Sequence, residues 1–218
     1  MMKKLLLPLL ILIVSMNSYG QKAKFSFMAS PQINWMTTNN DAIKTEGAVA
    51  GLNTGIELDL FFAEHYAFST GLTINNLGGR LVYSDSIYID SNGSKLMVPP
   101  GNTVKYHLQY ISLPLGLKFK TIEIGYTTIW VNAGLTPMVN IRARGTSEDG
   151  AIDKTNLREE TGMFNINYFV EAGVEYSLGG NTAIVGGLGY YPGFMDVTNR
   201  SADKIYTYSL ALVLGILF

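Results

Sequence analysis

Tyr206-Thr207-Tyr208-Ser209-Leu210-Ala211-Leu212-Val213-Leu214-Gly215-Ile216-Leu217-Phe218 decides how this chain reads. Successive side chains of an extended strand point to opposite faces. Tyr206, Tyr208, Leu210, Leu212, Leu214, Ile216 and Phe218 therefore share one face, with Thr207, Ser209, Ala211, Val213 and Gly215 on the other. One face is large and apolar; the other is small. Seven further segments, 24–35, 51–60, 66–75, 111–119, 128–142, 164–177 and 182–191, repeat the alternation, and no long stretch follows a helical period.

A soluble sheet also alternates, but the face opposite its apolar one carries Lys, Glu, Arg and Thr. Here that face is Gly, Ser, Asn, Thr and Ala with few charges, as where Leu52, Ile56, Leu58 and Leu60 oppose Gly51, Asn53, Gly55, Glu57 and Asp59. An apolar exterior around a small-residue interior predicts an all-β fold, an eight-stranded antiparallel transmembrane β-barrel in the bacterial outer membrane. Runs of about 9–11 residues suit a tilted membrane strand. Trp35, Tyr66, Phe119, Tyr168, Tyr176, Tyr190 and Tyr206 stand near run ends, as aromatic girdles do. Short links at 61–65, 120–127 and 178–181 alternate with longer ones at 37–47, 76–104, 143–162 and 192–203, which predicts that both termini are periplasmic.

Composition agrees. Charged residues make up 15% of the 218, below the roughly 25% usual in soluble domains. Sixteen basic and 17 acidic residues leave no basic footprint for nucleic acid, and the absence of Cys removes disulfides and thiolate metal sites. Met1-Met2-Lys3-Lys4, the apolar run Leu5 to Val14 and the small, polar Ser15 to Gly20 predict a cleaved signal peptide over 1–20 and a barrel domain over 21–218.

Tyr110-Ile111-Ser112-Leu113-Pro114-Leu115-Gly116-Leu117-Lys118-Phe119 resembles the Tyr-x-x-x-Pro-Leu-x-x-Lys strand of Bacteroidota outer-membrane β-barrel proteins, the small "porin family" or PorT-like barrels of OmpA-like eight-stranded architecture. Phe218, preceded by Ile216, Leu214 and Tyr208, resembles the signal read by the barrel-assembly machinery. The resemblance implies place and fold; it implies neither a broad channel nor an assigned activity.

Read by parity, Glu57, Asp59, Lys118, Glu171 and Glu175 point into the lower lumen, four acids against one lysine, with Arg142 in the upper half. A structural plug of ion pairs and a narrow cation-preferring passage are both consistent with that set. His107, with Ser84 or Ser86, offers the sole route to a lipid A-modifying Ser-His chemistry, and no diagnostic pairing supports it, so no catalytic residue is expected. Asp85 and Asp90 lack calcium-loop spacing, and Gly186-Gly187-Leu188-Gly189 lies in a strand rather than before a helix, so neither a metal nor a cofactor is expected. The expected role is structural or surface-binding. Expected partners are outer-membrane lipid and lipopolysaccharide, the assembly machinery during insertion, and a surface or periplasmic protein.

Overall fold

The computed structural model describes residues 23–91, 94–150, 152–199 and 204–218, leaving aside the side chains at 90, 91 and 94. The leader read at 1–20 lies outside the described residues. Thirteen strands are described: β1 (Ala23–Thr38), β2 (Ile43–Thr45), β3 (Val49–Ala63), β4 (Tyr66–Tyr83), β5 (Ile87–Ser91), β6 (Ser94–Val98), β7 (Thr103–Ser112), β8 (Leu115–Lys120), β9 (Thr127–Ser147), β10 (Thr155–Asn156), β11 (Phe164–Gly179), β12 (Thr182–Pro192) and β13 (Ile205–Leu217).

Eight staves close into a ring, each antiparallel to both neighbours. The ring shuts where β13 meets β1, from Ser26 opposite Leu217 to Thr38 opposite Ile205. β7 and β8 form one stave, broken at Leu113-Pro114, because proline has no N–H to give the ladder. The Leu113 N–H still reaches the Pro137 carbonyl at 3.0 Å. Turns at the end carrying both termini are short, and the far end carries the longer connections, including β2, the β5–β6 hairpin and β10.

The outer wall bears the expected apolar band, with Phe27, Ile56, Leu72, Leu117, Val170, Leu188 and Leu212 all exposed. Stacked and edge-on rings mark its two margins. Phe62, Tyr66 and Phe119 group toward the terminal end, and Trp35 with Tyr208 (5.9 Å) and Tyr190 (6.5 Å) toward the far end.

Three staves run beyond the runs read from sequence. β4 extends to Tyr83, β7 begins at Thr103, and β9 continues to Ser147, so parts of the expected loops at 76–104 and 143–162 are sheet. The cause is a change of polarity, not of period. Along β4 the inward residues are Ala67, Ser69, Gly71, Thr73 and Asn75, then Leu77, Leu81 and Tyr83; outward, Phe68, Leu72 and Ile74 give way to Asn76 and Arg80. Lipid outside demands an apolar outer face, whereas water outside permits an ordinary apolar core within. That core is extensive: Met36, Leu81, Tyr106, Leu108, Tyr110 and Met138 from the staves meet Ile43, Ile89, Val98, Ile152, Leu157 and Val197 from the connections.

Toward the other end Trp130 is almost wholly buried beside Met28, Val185 and Val213. Only glycine fits beneath it: a Cβ at Gly173 would stand 2.8 Å, and one at Gly187 3.0 Å, from Trp130 Cζ2. Gly186 points outward with nothing within 4 Å of its Cβ position. Gly187→Val is therefore expected to lower the urea stability of the vesicle-inserted barrel by about 1–3 kcal/mol, while Gly186→Val leaves the midpoint unchanged. Unboiled against boiled gel mobility reports the intact barrel in each case. Equal losses at the two positions would contradict this packing.

Candidate functional site

The lumen near the terminal end holds a layer of charge. Alternation aims Glu57 and Asp59 of β3, Lys118 and Lys120 of β8, and Glu171 and Glu175 of β11 inward. Lys118 Nζ lies 2.7 Å from Asp59 Oδ2 and 3.5 Å from Glu175 Oε1. It reaches Asp59 across β4, where the inward residues are only Ala67 and Ser69. Lys120 Nζ grips both oxygens of Glu175, at 2.6 and 2.7 Å. Glu171 accepts from the Tyr191 hydroxyl at 2.5 Å and from Asn132 Nδ2 at 3.4 Å. Aromatic faces complete the cradle, with Lys118 Nζ 5.0 Å from the Trp130 ring centre and Lys120 Nζ 5.0 Å from Phe61. Glu57 is half-buried and borders a cavity of about 20 Å³ shared with Asn53, Asn75, Glu171 and Tyr191, room for a single water.

Five of the six lumen charges read from sequence thus share one layer, and Arg142 does not. The β7–β9 register shifts between Gln109, opposite Arg142, and Tyr110, opposite Asn140. Ile141 is the extra residue of a bulge, which reverses parity beyond it. Arg142 and Arg144 consequently face outward while Ala143 is buried. Lys120 escaped the sequence reading because position 120 fell in an expected link, so a single lysine against four acids understates the cations. Lys24, inward on β1 and 5.9 Å from the Phe61 ring centre, adds a third lysine. Tyr191 could not have been found from spacing alone, since its pairing with Glu171 depends on how β12 lies against β11.

Above the charges lies a belt of amides and hydroxyls. Gln32 Nε2 donates to Asn75 Oδ1 (2.8 Å) and to the Asn76 carbonyl (2.9 Å), Asn34 Nδ2 to the same carbonyl (3.0 Å), and Ser209 Oγ to Asn34 Oδ1 (2.6 Å). These side chains bridge a seam, because the β3–β4 ladder ends at Asn53 opposite Asn75. Above the belt lies the apolar core of the far end.

His107 faces outward on β7, opposite Gly78 and Arg144. Ser84 lies six residues past Gly78 along the chain, about 20 Å at strand rise, too far for a Ser-His pair. Tyr208, Leu214, Ile216 and Phe218 form one outward row on and just past β13.

The charge layer should act as one unit. Lys118→Met strands buried Asp59 and is expected to destabilise the barrel by about 3–5 kcal/mol. Adding Asp59→Leu should restore part of that loss, read as urea midpoints in lipid vesicles. A double variant no better than the single would deny the pairing.

The described geometry can be set beside known proteins. Neisserial surface protein A, in its crystal structure, is 14% identical with a TM-score of 0.50 over 91% of this chain and 98% of its own. The Yersinia pestis attachment invasion locus protein Ail, solved with the heparin analogue sucrose octasulfate, is also 14% identical (TM-score 0.46, 90% of this chain, 99% of its own). OprG from Pseudomonas aeruginosa is 10% identical (TM-score 0.48, 92% and 98%). No curated protein matches the chain. The outer membrane protein beta-barrel domain family matches residues 15–199, most of the chain, and to that family of bacterial outer-membrane barrels this protein belongs.

Proposed function

We propose that the protein works through its outer surface, neither as a pore nor as an enzyme: a membrane-fixed platform that presents its far end to a ligand or partner. The observation that carries this reading is the apolar core across the far end of the lumen, where Leu81, Leu108, Tyr110 and Met138 are almost wholly buried. An ion crossing there would leave water without a compensating partner, which costs several kcal/mol. The far end faces the cell exterior and both termini the periplasm, in keeping with short periplasmic turns and longer external connections. The Tyr110–Phe119 segment supports a place among the small PorT-like barrels of Bacteroidota. The outward row of Tyr208, Leu214, Ile216 and Phe218 is the feature offered to the assembly machinery.

The rival passage draws on the lumen acids Glu57, Asp59, Glu171 and Glu175. Lys118 and Lys120 already engage Asp59 and Glu175, so that layer reads as a plug. The refolded protein in planar bilayers is expected to be electrically silent. Steady currents whose cation preference falls on Glu57→Gln would overturn the closed-lumen reading.

A further inference from the structure

The bulge at Ile141 that removes Arg142 from the lumen builds something on the outer wall. Above the apolar band the outward residues of β4, β7 and β9 fall into register rows: Asn76, Gln109 and Arg142 in one, Gly78, His107 and Arg144 in the next, and Arg80, Lys105 and Thr146 beyond. A groove of about 260 Å³ runs across these strands, with Arg142, Arg144 and Lys154 among its lining residues. The Lys154 N–H donates to Thr146 Oγ1 at 3.3 Å and ties that lysine to the wall. The Gln109 amide donates to Asn76 Oδ1 at 3.1 Å, and Asn76 Nδ2 to the Leu52 carbonyl at 3.0 Å, which holds the lower rim.

Two features give this patch a direction. None of Arg80, Lys105, Arg142, Arg144 and Lys154 has an ion-pair partner among the described residues, where the ion pairs all lie in the lumen. One row below, two residues down β4 and β7 and three down the bulged β9, stand Ile74, Ile111 and Val139, the edge of the lipid-facing band. That separation is about 7 Å, the scale of a headgroup between a phosphate and its acyl chains. Unpaired guanidinium groups favour phosphate, which they can bind through two parallel hydrogen bonds.

We infer that this groove seats the phosphorylated headgroup of a membrane lipid, with its acyl chains along Ile74, Ile111 and Val139. The inference deepens the proposed surface role and rests on it, yet it stands apart from the closed lumen, which conductance tests separately. The experiment is native mass spectrometry of the refolded full barrel in detergent, titrated with bisphosphorylated lipid A. One lipid per barrel is expected, with affinity falling roughly thirtyfold in Arg142→Gln/Arg144→Gln, from about 1 kcal/mol per basic residue near a charged lipid surface. Lys44→Gln/Lys95→Gln, exposed cations elsewhere at the far end, should change it by no more than about twofold. Lipid A stripped of both phosphates should bind the native chain as weakly as intact lipid A binds the arginine variant, a comparison that does not depend on how any variant folds. Millimolar inorganic phosphate should not compete. Equal binding of the stripped lipid, an equal loss in the lysine variant, or displacement by inorganic phosphate would each overturn the assignment.

Discussion

The pairing of β13 with β1 is the constraint on which the rest of the structure depends. Lipid offers no hydrogen bonds, so an open sheet edge within it would leave a row of backbone groups unsatisfied at several kcal/mol each. Closure with eight staves removes the edge and fixes the bore, which is just wide enough for side chains to fill. The interior then has no freedom to be a channel by default. Trp130 can occupy it because Gly173 and Gly187 yield the space, and Lys118 can cross to Asp59 because β4 presents Ala67 and Ser69 between them. Small residues on the inner face are the condition for closure at this strand number.

The order of the filling follows from what surrounds it. Where lipid covers the outside, the inner face holds the polar residues, and the charges among them must be matched; Asp59, Glu175, Lys118 and Lys120 answer one another within 3.5 Å. Amides and hydroxyls occupy the next level, where buried atoms such as Asn140 Oδ1 and Thr207 Oγ1 find no hydrogen-bond partner among the described residues, and ordered water suits such groups. Beyond Asn75 the outside becomes aqueous and the polarity reverses: the sheet turns into an ordinary one with an apolar inside, and the connections fold onto it.

The same reversal explains what could be read from sequence. Eight staves were legible because lipid imposes strict alternation, and the row from Tyr206 to Phe218 states it without interruption. The upper part of β4 and the first residues of β7 read as loop because Leu77, Leu81 and Val104 carry apolar side chains on the face that is polar below. The period of two continues through the switch, but a search for apolar exteriors stops at Ile74 and Ile111. Arg142 was misplaced for a different reason. Parity is counted from an origin, and one bulged residue resets the count while leaving no local mark beyond an Ile-Arg pair. Tyr191 on Glu171 was out of reach altogether, because it depends on the stagger of two strands rather than on either one.

The inner charges and the outer ones meet different surroundings and serve different ends. Lumen carboxylates and lysines at 2.6–3.5 Å neutralise one another in a narrow, enclosed space. Such pairs hold a conformation and have little left to offer a ligand. The arginines on the wall have no such partners among the described residues, and they stand where the environment passes from hydrocarbon to water, the level at which phosphate is concentrated in a membrane. A cation there can serve solubility anywhere on the far end, so its placement in register with Asn76 and Gln109, directly above Ile74 and Ile111, is the informative part. The bulge at Ile141 supplies that placement: without it Arg142 would point into the lumen at the level of Leu108 and Tyr110, where the filling is apolar. A single inserted residue therefore moves positive charge from the inner face to the face that meets its surroundings, and the chemistry of the surface begins at that residue.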